Sequence, residues 1–170
     1  MLLKGCIFFL VIAYASSEYV NTFDCPNVTA HSKDVLMQVS DCKASDSHCP
    51  LYQGKTHKVI FNFVMLKNYT GKIDFRVFGV FEKFTVPYRG KADAFENATY
   101  IDNGEKLKDA GIFLTNRPIR HESEFAVSPN YPKINLKVRF SIVERRTKEV
   151  LMCREVPVGI QSPPTEANAV

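Results

Sequence analysis

The amino-acid sequence predicts an all-β protein, folded as a sandwich of two sheets with about seven strands. The first observation is a period of two in the apolar residues, which is strictest late in the chain. Ile134, Leu136, Val138, Phe140 and Ile142 alternate there with polar residues, so that a strand would bury all five on one face. The second observation is that turn-forming residues separate the alternating segments at short intervals, as is typical of β-sandwiches.

The other elements follow from the same pattern in chain order. Residues 34–39 form the first predicted strand, and in residues 59–66 every second residue is large and apolar. In residues 73–77 apolar and charged side chains alternate, which indicates a strand with one solvated face. Further strands are predicted at residues 80–86, 120–127 and 150–158, turns at 68–71, 102–104, 128–130 and 144–148, and a helical turn at 105–110.

The N-terminal segment predicts export. Lys4 supplies a positive charge, residues 5–13 form a short apolar run, and small residues follow up to Ser17. This is the layout of a cleaved signal peptide, because the run is too short to span a bilayer. We therefore expect a signal peptide at residues 1–17, one domain at 18–160 and a disordered tail rich in proline and small residues at 161–170.

The charge balance limits the kinds of partner. The formal net charge of +4 falls to +3 when Lys4 leaves with the signal segment. So small an excess predicts weak attraction to anionic membrane surfaces and gives no reason to expect nucleic-acid binding. We expect a monomer that is secreted.

The cysteines predict disulfides. Without Cys6 in the signal segment, Cys25, Cys42, Cys49 and Cys153 remain, an even set in an exported chain that allows three pairings. The short segment between them makes Cys42–Cys49 the natural local bridge, which leaves Cys25–Cys153 to join the two ends of the domain. A zinc site would be the alternative, but no pair has the C-x₂-C spacing that such sites use.

Three sequons accompany the cysteines. Asn27, Asn68 and Asn97 each stand two residues before a threonine. In an exported chain they predict at least one surface glycan.

The residues give no pattern for catalysis or for a resident metal or cofactor. His31, His48, His57 and His121 lack metal-ligand spacing. No nucleophile motif or phosphate-binding glycine loop is present in the sequence. Carboxylates such as Asp74 alternate with apolar residues and fit a solvated strand face.

Aromatic residues dominate the predicted interior, with thirteen phenylalanines and seven tyrosines but no tryptophan. Such rings either fill the space between two closely packed sheets or line a pocket between sheets that stand apart. The alternating pattern is the same for both arrangements.

Several short motifs occur in a specific order along residues 23–160. They are residues 22–25 (TFDC), 39–42 (VSDC), 49–51 (CPL), 53–56 (QGKT), 86–88 (VPY), 131–134 (YPKI) and 153–158 (CREVPV). In their order, spacing and cysteine positions these motifs resemble the lipid-recognition (ML domain) family, and within it the sterol-carrier type.

The resemblance implies an immunoglobulin-like sandwich that holds a sterol or related lipid in an apolar pocket between its sheets, without enzymatic activity. It implies the same two disulfides, transient contact with a membrane surface or acceptor protein, and delivery outside the cell or to lysosomes. The pocket mouth would fall on Tyr88, Val127 and Tyr131. The deeper lining would include Val39, Leu51, Val59, Val77, Phe81, Val86, Pro132, Leu136, Val138 and Phe140.

One departure from the family pattern concerns the loop before Ile112. Members of the sterol-carrier type often have a third disulfide there, and this sequence has Gly111 at about that position. We therefore expect a looser loop and a wider pocket mouth.

Two other functions compete with that of a lipid carrier. The alternative is an extracellular protein that recognises lipid and engages a receptor, and a hydrolase is a third hypothesis.

Overall fold

Residues 18–88 and 94–164 of the computed structural model form ten strands and one short helix. The predicted signal segment and residues 165–170 of the predicted tail lie outside these described residues. The elements are β1 (Phe23–Asp24), β2 (Ser32–Val39), β3 (Cys49–Tyr52), β4 (Thr56–Met65), β5 (Ile73–Val80), β6 (Thr85–Tyr88), β7 (Ala98–Tyr100), α1 (Leu107–Ala110), β8 (Pro118–Ala126), β9 (Asn135–Glu144) and β10 (Val150–Gln161).

The strands form two sheets, which confirms the predicted all-β sandwich. The first sheet has the order β1-β10-β9-β5-β6, and β3 pairs in parallel with the last residues of β10. The second sheet has the order β2-β4-β8-β7. Apolar residues of both sheets face each other and form one core.

The strand predicted most clearly from the sequence lies at the centre of the first sheet. β9 pairs with β5 on one side, where Phe140 is opposite Val77, and with β10 on the other, where Val138 is opposite Val156. Because paired residues share a face, this register turns all four side chains toward the core.

The observed elements differ from the predicted ones in several places. Residues 80–86, predicted as one strand, form the end of β5, a turn closed by the Phe81 amide on the Phe84 carbonyl (2.9 Å), and the start of β6. The strands β1, β3 and β7 were not predicted, because segments of two to four residues are too short to show a period. Gln161, assigned to the tail, is the last residue of β10 and pairs with Tyr52.

Both predicted disulfides are present. Cys25–Cys153 ties the residue after β1 to the middle of β10, and Cys42–Cys49 closes the connection between β2 and β3. The asparagines of the three sequons are all exposed to solvent, so each is accessible to the modification that the sequence predicts.

The loop before Ile112 is not loose and does not border the mouth region. The Tyr100 hydroxyl donates to the Ile112 carbonyl (2.8 Å) and accepts from the Leu114 amide (3.0 Å). Phe113, fully buried, pairs with Tyr69 before the start of β5. A buried tyrosine thus anchors this loop, so the expectation of a loose loop was wrong. The loop does not line the cavity, and the width of the mouth stays a prediction.

Candidate functional site

An apolar cavity of about 260 Å³ lies between the sheets at the end where β5 meets β6 and where β8 leads into β9. Most of its wall belongs to the first sheet, and β8 with the residues that follow it closes the other side. None of the lining side chains carries a charge. The lining residues are Leu51, Val77, Gly79, Phe81, Val86, Pro87, Tyr88, Phe125, Ala126, Val127, Tyr131, Pro132, Ile134, Leu136, Val138 and Ile160.

Tyr88 joins the two sheets beside the cavity. Its hydroxyl accepts a hydrogen bond from the backbone amide of Ala126 (3.0 Å). Since Tyr88 lies on the edge strand β6 and Ala126 ends β8, this bond links the two sheets at the mouth. The ring of Tyr88 also contacts Phe125 edge to face, with centroids 6.3 Å apart.

Gly79 gives the cavity part of its volume. It follows Val77 on the inner face of β5, where the alternation of apolar and polar residues predicts another large apolar side chain. A Cβ atom at this position would lie 3.2 Å from Cδ1 of Leu136 and 3.5 Å from Cε2 of Phe81. A larger residue at position 79 would therefore crowd two side chains of the lining.

The β3–β4 turn forms one side of the mouth and is bonded to the loop that follows β8. The Gly54 amide donates to the Val127 carbonyl (2.8 Å), and the Val127 amide donates to the Lys55 carbonyl (2.9 Å). The side-chain amide of Gln53 donates to the Tyr131 carbonyl. These bonds couple the position of the turn to two mouth residues, Val127 and Tyr131.

The rim of the cavity exposes apolar side chains to solvent. Phe84 is 59% exposed, Val86 47% and Tyr131 41%. The rings of Phe81 and Phe84 stack with centroids 4.7 Å apart in the β5–β6 turn. This exposed surface, which we call the apolar rim, consists of Phe84, Val86 and Tyr131.

Ten of the thirteen residues predicted for the pocket border this cavity. They are Leu51, Val77, Phe81, Val86, Tyr88, Val127, Tyr131, Pro132, Leu136 and Val138. Val39, Val59 and Phe140 do not border it and are buried in the packed core instead. Whether the ten bind a ligand remains a prediction.

Six lining residues were missing from the predicted set: Gly79, Pro87, Phe125, Ala126, Ile134 and Ile160. Periodicity carried a signal for three of them. Phe125 shares a face with Val127, Ile134 with Leu136, and Ile160 with Val158. Gly79 and Ala126 present little or no side chain, so that no pattern of apolar residues reveals them.

Beyond the cavity the interior is a cluster of rings with one imidazole. Phe125 contacts Phe140 (centroids 5.7 Å apart), and Phe140 contacts Phe61 (5.5 Å) and Phe75 (6.1 Å). His121 is completely buried at the far side of this cluster, 4.7 Å from Phe75. Neither of its ring nitrogens has a hydrogen-bond partner among the described residues.

Burial lowers the pKa of His121 to about 4. The backbone of Ala94 and the carboxylate of Glu122 oppose this effect, although Ala94 makes no hydrogen bond of normal geometry with the ring. The imidazole is therefore neutral at neutral pH.

A second buried histidine, His57, lies behind the cavity wall and contacts Phe125 (centroids 5.9 Å apart). Burial also lowers the pKa of His57, against an opposing effect of Asp41.

Ion pairs account for the carboxylates that the sequence placed on solvated strand faces. Arg145 donates to Asp74 (2.8 Å) and holds the pKa of that carboxyl below its usual range. Lys58 and Arg120 lower the pKa of Glu122 in the same way.

In the ranges 18–88 and 94–164, no cluster of three or more histidine, cysteine or acidic residues could hold a metal ion.

The apolar, uncharged cavity between the two sheets has the character of sites that bind apolar molecules in other proteins. The chain has the fold of a Niemann–Pick type C2 protein. The crystal structure of that protein from the Japanese carpenter ant matches with a TM-score of 0.64 and 19% sequence identity. The match covers 83% of this chain and 99% of the ant protein.

A domain of an outer membrane lipoprotein from Porphyromonas gingivalis also matches, over 85% of this chain and all of that domain. This second match has a TM-score of 0.38 and a sequence identity of 17%. Neither a protein-family model nor a curated protein matches the chain significantly. Among the described residues, no helix has the length and apolar character needed to cross a membrane.

Proposed function

We propose that this protein carries a lipid in the cavity between its sheets. The lipid is a sterol or a molecule of similar rigidity and polarity. The observation that supports this most directly is the lining, in which every side chain is uncharged and nearly every one is aliphatic or aromatic. A rigid apolar ligand needs few polar contacts, and each buried CH₂ group contributes about 0.8 kcal/mol.

The size of the cavity bears on how such a ligand binds. A volume of about 260 Å³ is just below the range of roughly 300–1,000 Å³ that is usual for small-molecule sites. A lipid would therefore enlarge the cavity by moving side chains at its inner end, where Phe125 and Phe140 are in contact.

Two measurements test the proposal of a lipid carrier. One is saturable binding of a fluorescent sterol, and the other is analysis of the lipids that the protein takes up from a mixed membrane extract. If nothing apolar binds, it fails.

The apolar rim is proposed to contact the membrane during lipid transfer. Phe84 and Tyr131 are exposed beside the mouth. The exposed lysines Lys83 and Lys133 lie within two residues of them, and the backbone carbonyl of the exposed Lys55 accepts a hydrogen bond from the Val127 amide. Aromatic side chains flanked by cations suit an anionic bilayer surface, where the rings insert and the ammonium groups pair with lipid phosphates.

The cellular location of the protein is proposed from its first residues and its disulfides. A signal peptide at residues 1–17 would direct the chain out of the cytosol, where Cys25–Cys153 and Cys42–Cys49 form and persist. Delivery to lysosomes would depend on modification of a glycan at one of the exposed sequons. The mature protein is proposed to act as a monomer, without a cofactor.

Replacement of Tyr131 by aspartate is expected to weaken sterol binding by about tenfold or more, because a carboxylate at the mouth loses hydration when an apolar ligand enters. Ile101→Asp is the matched control, since Ile101 is also about half exposed (49%) but lies in the turn after β7. Saturation binding measures the effect, and circular dichroism checks the fold. Equal losses in the two variants, or an unfolded Tyr131→Asp protein, would argue against a mouth at Tyr131.

Replacement of Phe84 by aspartate is expected to slow lipid transfer to anionic vesicles by about tenfold, because an aromatic side chain no longer inserts into the bilayer. Phe84 does not line the cavity, so the equilibrium occupancy should change much less than the transfer rate. Leu66→Asp, a change at another half-exposed apolar residue (50%), serves as the control. A loss of occupancy that matches the loss of rate would place Phe84 in the binding site instead.

A further inference from the structure

His57 occupies an unusual position between the cavity wall and the β3–β4 turn. Its side chain is completely buried at the start of β4, and its ring lies between Tyr52 (centroids 6.0 Å apart) and Phe125 (5.9 Å apart). Phe125 belongs to the cavity lining. The imidazole is therefore separated from the proposed lipid site by a single ring.

The hydrogen bonds of His57 define its protonation state. Nε2 accepts from the backbone amide of Tyr52 (2.9 Å), so this nitrogen carries no proton. The proton of the neutral ring is then on Nδ1, which lies 3.4 Å from the Ser40 hydroxyl oxygen. That oxygen also accepts from the Lys58 amide (3.0 Å).

The bond to Tyr52 holds the start of a turn that borders the cavity mouth. The next residues, Gly54 and Lys55, exchange backbone hydrogen bonds with Val127. Gln53 reaches the carbonyl of Tyr131. Movement of the Tyr52 backbone would thus be transmitted to two residues of the mouth.

Protonation removes the lone pair on which this arrangement depends. The imidazolium has an N–H group on both nitrogens, so Nε2 and the Tyr52 amide would face each other as two donors at 2.9 Å. The backbone at Tyr52 must then move away. The carboxylate of Asp41, whose Oδ2 lies 3.7 Å from Nδ1 and which is 59% exposed, would stabilise the charged ring in its new state.

The groups around the ring come from three parts of the fold. Asp41 and Ser40 follow β2, Tyr52 with its phenol belongs to β3, and Phe125 belongs to β8. Within residues 18–88 and 94–164, the Asp41 carboxylate is the charged group that faces the ring. Burial outweighs this carboxylate and the backbone groups of Tyr52 and Ser40, which also favour the charged ring. The pKa of His57 therefore lies below the ordinary 6.5.

We propose that His57 is a proton-sensitive latch on the cavity mouth, closed while its ring is neutral and opened by acid, so that bound lipid leaves faster at low pH. The latch rests on the proposed lipid-carrier function. It would make lipid transport directional, because a carrier loaded near neutral pH would release its lipid in an acidic compartment.

The test measures the dissociation rate of a fluorescent sterol between pH 7.5 and pH 4.5, each variant being compared with its own rate at pH 7.5. For the wild-type protein we expect the rate to rise by about tenfold or more, as for loss of a buried hydrogen bond. His57→Gln should abolish most of this rise, because the side-chain carbonyl accepts from Tyr52 and does not titrate. His57→Phe, which offers no acceptor, should release sterol rapidly at every pH.

Two further variants separate the latch from general acid effects. Asp41→Asn should move the pH of release lower, because the imidazolium loses its counter-charge. His121→Phe, which removes the other buried histidine, should leave the dependence of release on pH intact. A full acid response in folded His57→Gln protein would overturn the proposal.

A readout without lipid distinguishes failure of the latch from failure of the carrier proposal. Hydrogen exchange at the amides of Tyr52, Gly54 and Val127 should accelerate below pH 6.5, relative to the intrinsic exchange rate, in the wild-type protein and not in His57→Gln. If these amides respond but no sterol binds at pH 7.5, the latch stands and the carrier proposal is wrong. Unchanged protection of these amides as the histidine titrates would refute the latch whatever the protein binds.

Discussion

Replacement of both Cys25 and Cys153 by alanine is expected to lower the free energy of unfolding by about 5 kcal/mol, as the chain-entropy model gives for a loop of this length. The bridge joins residues 128 positions apart, so its loss frees almost the whole domain in the unfolded state. It also releases β1, which pairs with β10 through only two residues, Phe23 and Asp24. A loss of this size is comparable to the whole stability of many single domains.

The matched control is removal of Cys42 and Cys49, whose bridge spans only 7 positions. The same model gives about 2.5 kcal/mol for this loop, half the effect of the long one. Urea denaturation of the wild-type protein and both double variants, followed by circular dichroism, measures the difference. Equal losses would show that native contacts at the bridges, rather than loop length, determine their contribution.

Acidification from pH 7 to pH 4 is expected to cost about 3 kcal/mol of stability through His121 alone, from the standard relation between pKa and free energy. Burial lowers the pKa of this residue in the folded protein to about 4, against 6.5 for a solvated histidine. Between these values the unfolded chain binds a proton that the folded protein does not, so stability falls as the pH falls from 6.5. Below pH 4 both states are protonated and the loss is complete.

His121→Phe is expected to remove this part of the pH dependence. It should also stabilise the protein at pH 7 by about 1–3 kcal/mol, because a buried polar group without partners is replaced by a ring that suits its neighbours. The side chain packs against Phe61 and Phe75, which favours an apolar replacement of similar shape. His121→Leu tests the same point with a smaller side chain.

Thermal or urea unfolding at pH 7, 5.5 and 4 measures this effect. His48→Gln is the control, since His48 is exposed and its substitution should leave the pH profile unchanged. If His121→Phe keeps the full acid sensitivity of the wild type, the loss of stability arises elsewhere in the fold. His57, whose pKa is also lowered by burial, contributes to the acid sensitivity that remains in the His121→Phe protein.

The sequence determined the fold class, the principal strands and the disulfides, since each depends on local information. The alternation in β9 forces one face inward whatever its partners are, and the short spacing of Cys42 and Cys49 leaves one pairing for the other two cysteines. The family motifs added the positions of ten cavity residues, including Tyr88, Val127 and Tyr131. Periodicity alone did not distinguish a solid core from one with a cavity.

Only the tertiary structure decided where the apolar interior opens. Val59 and Phe140 have the same pattern as Val77 and Val138, yet the first two are enclosed in the packed core while the other two border the cavity. The difference arises from neighbours that are distant in sequence. Gly79 leaves space beside Leu136, and Tyr88 bonds across to Ala126 on the other sheet. The same holds for His57 and His121, because burial and hydrogen-bond partners are properties of the packed sheets and not of the local sequence.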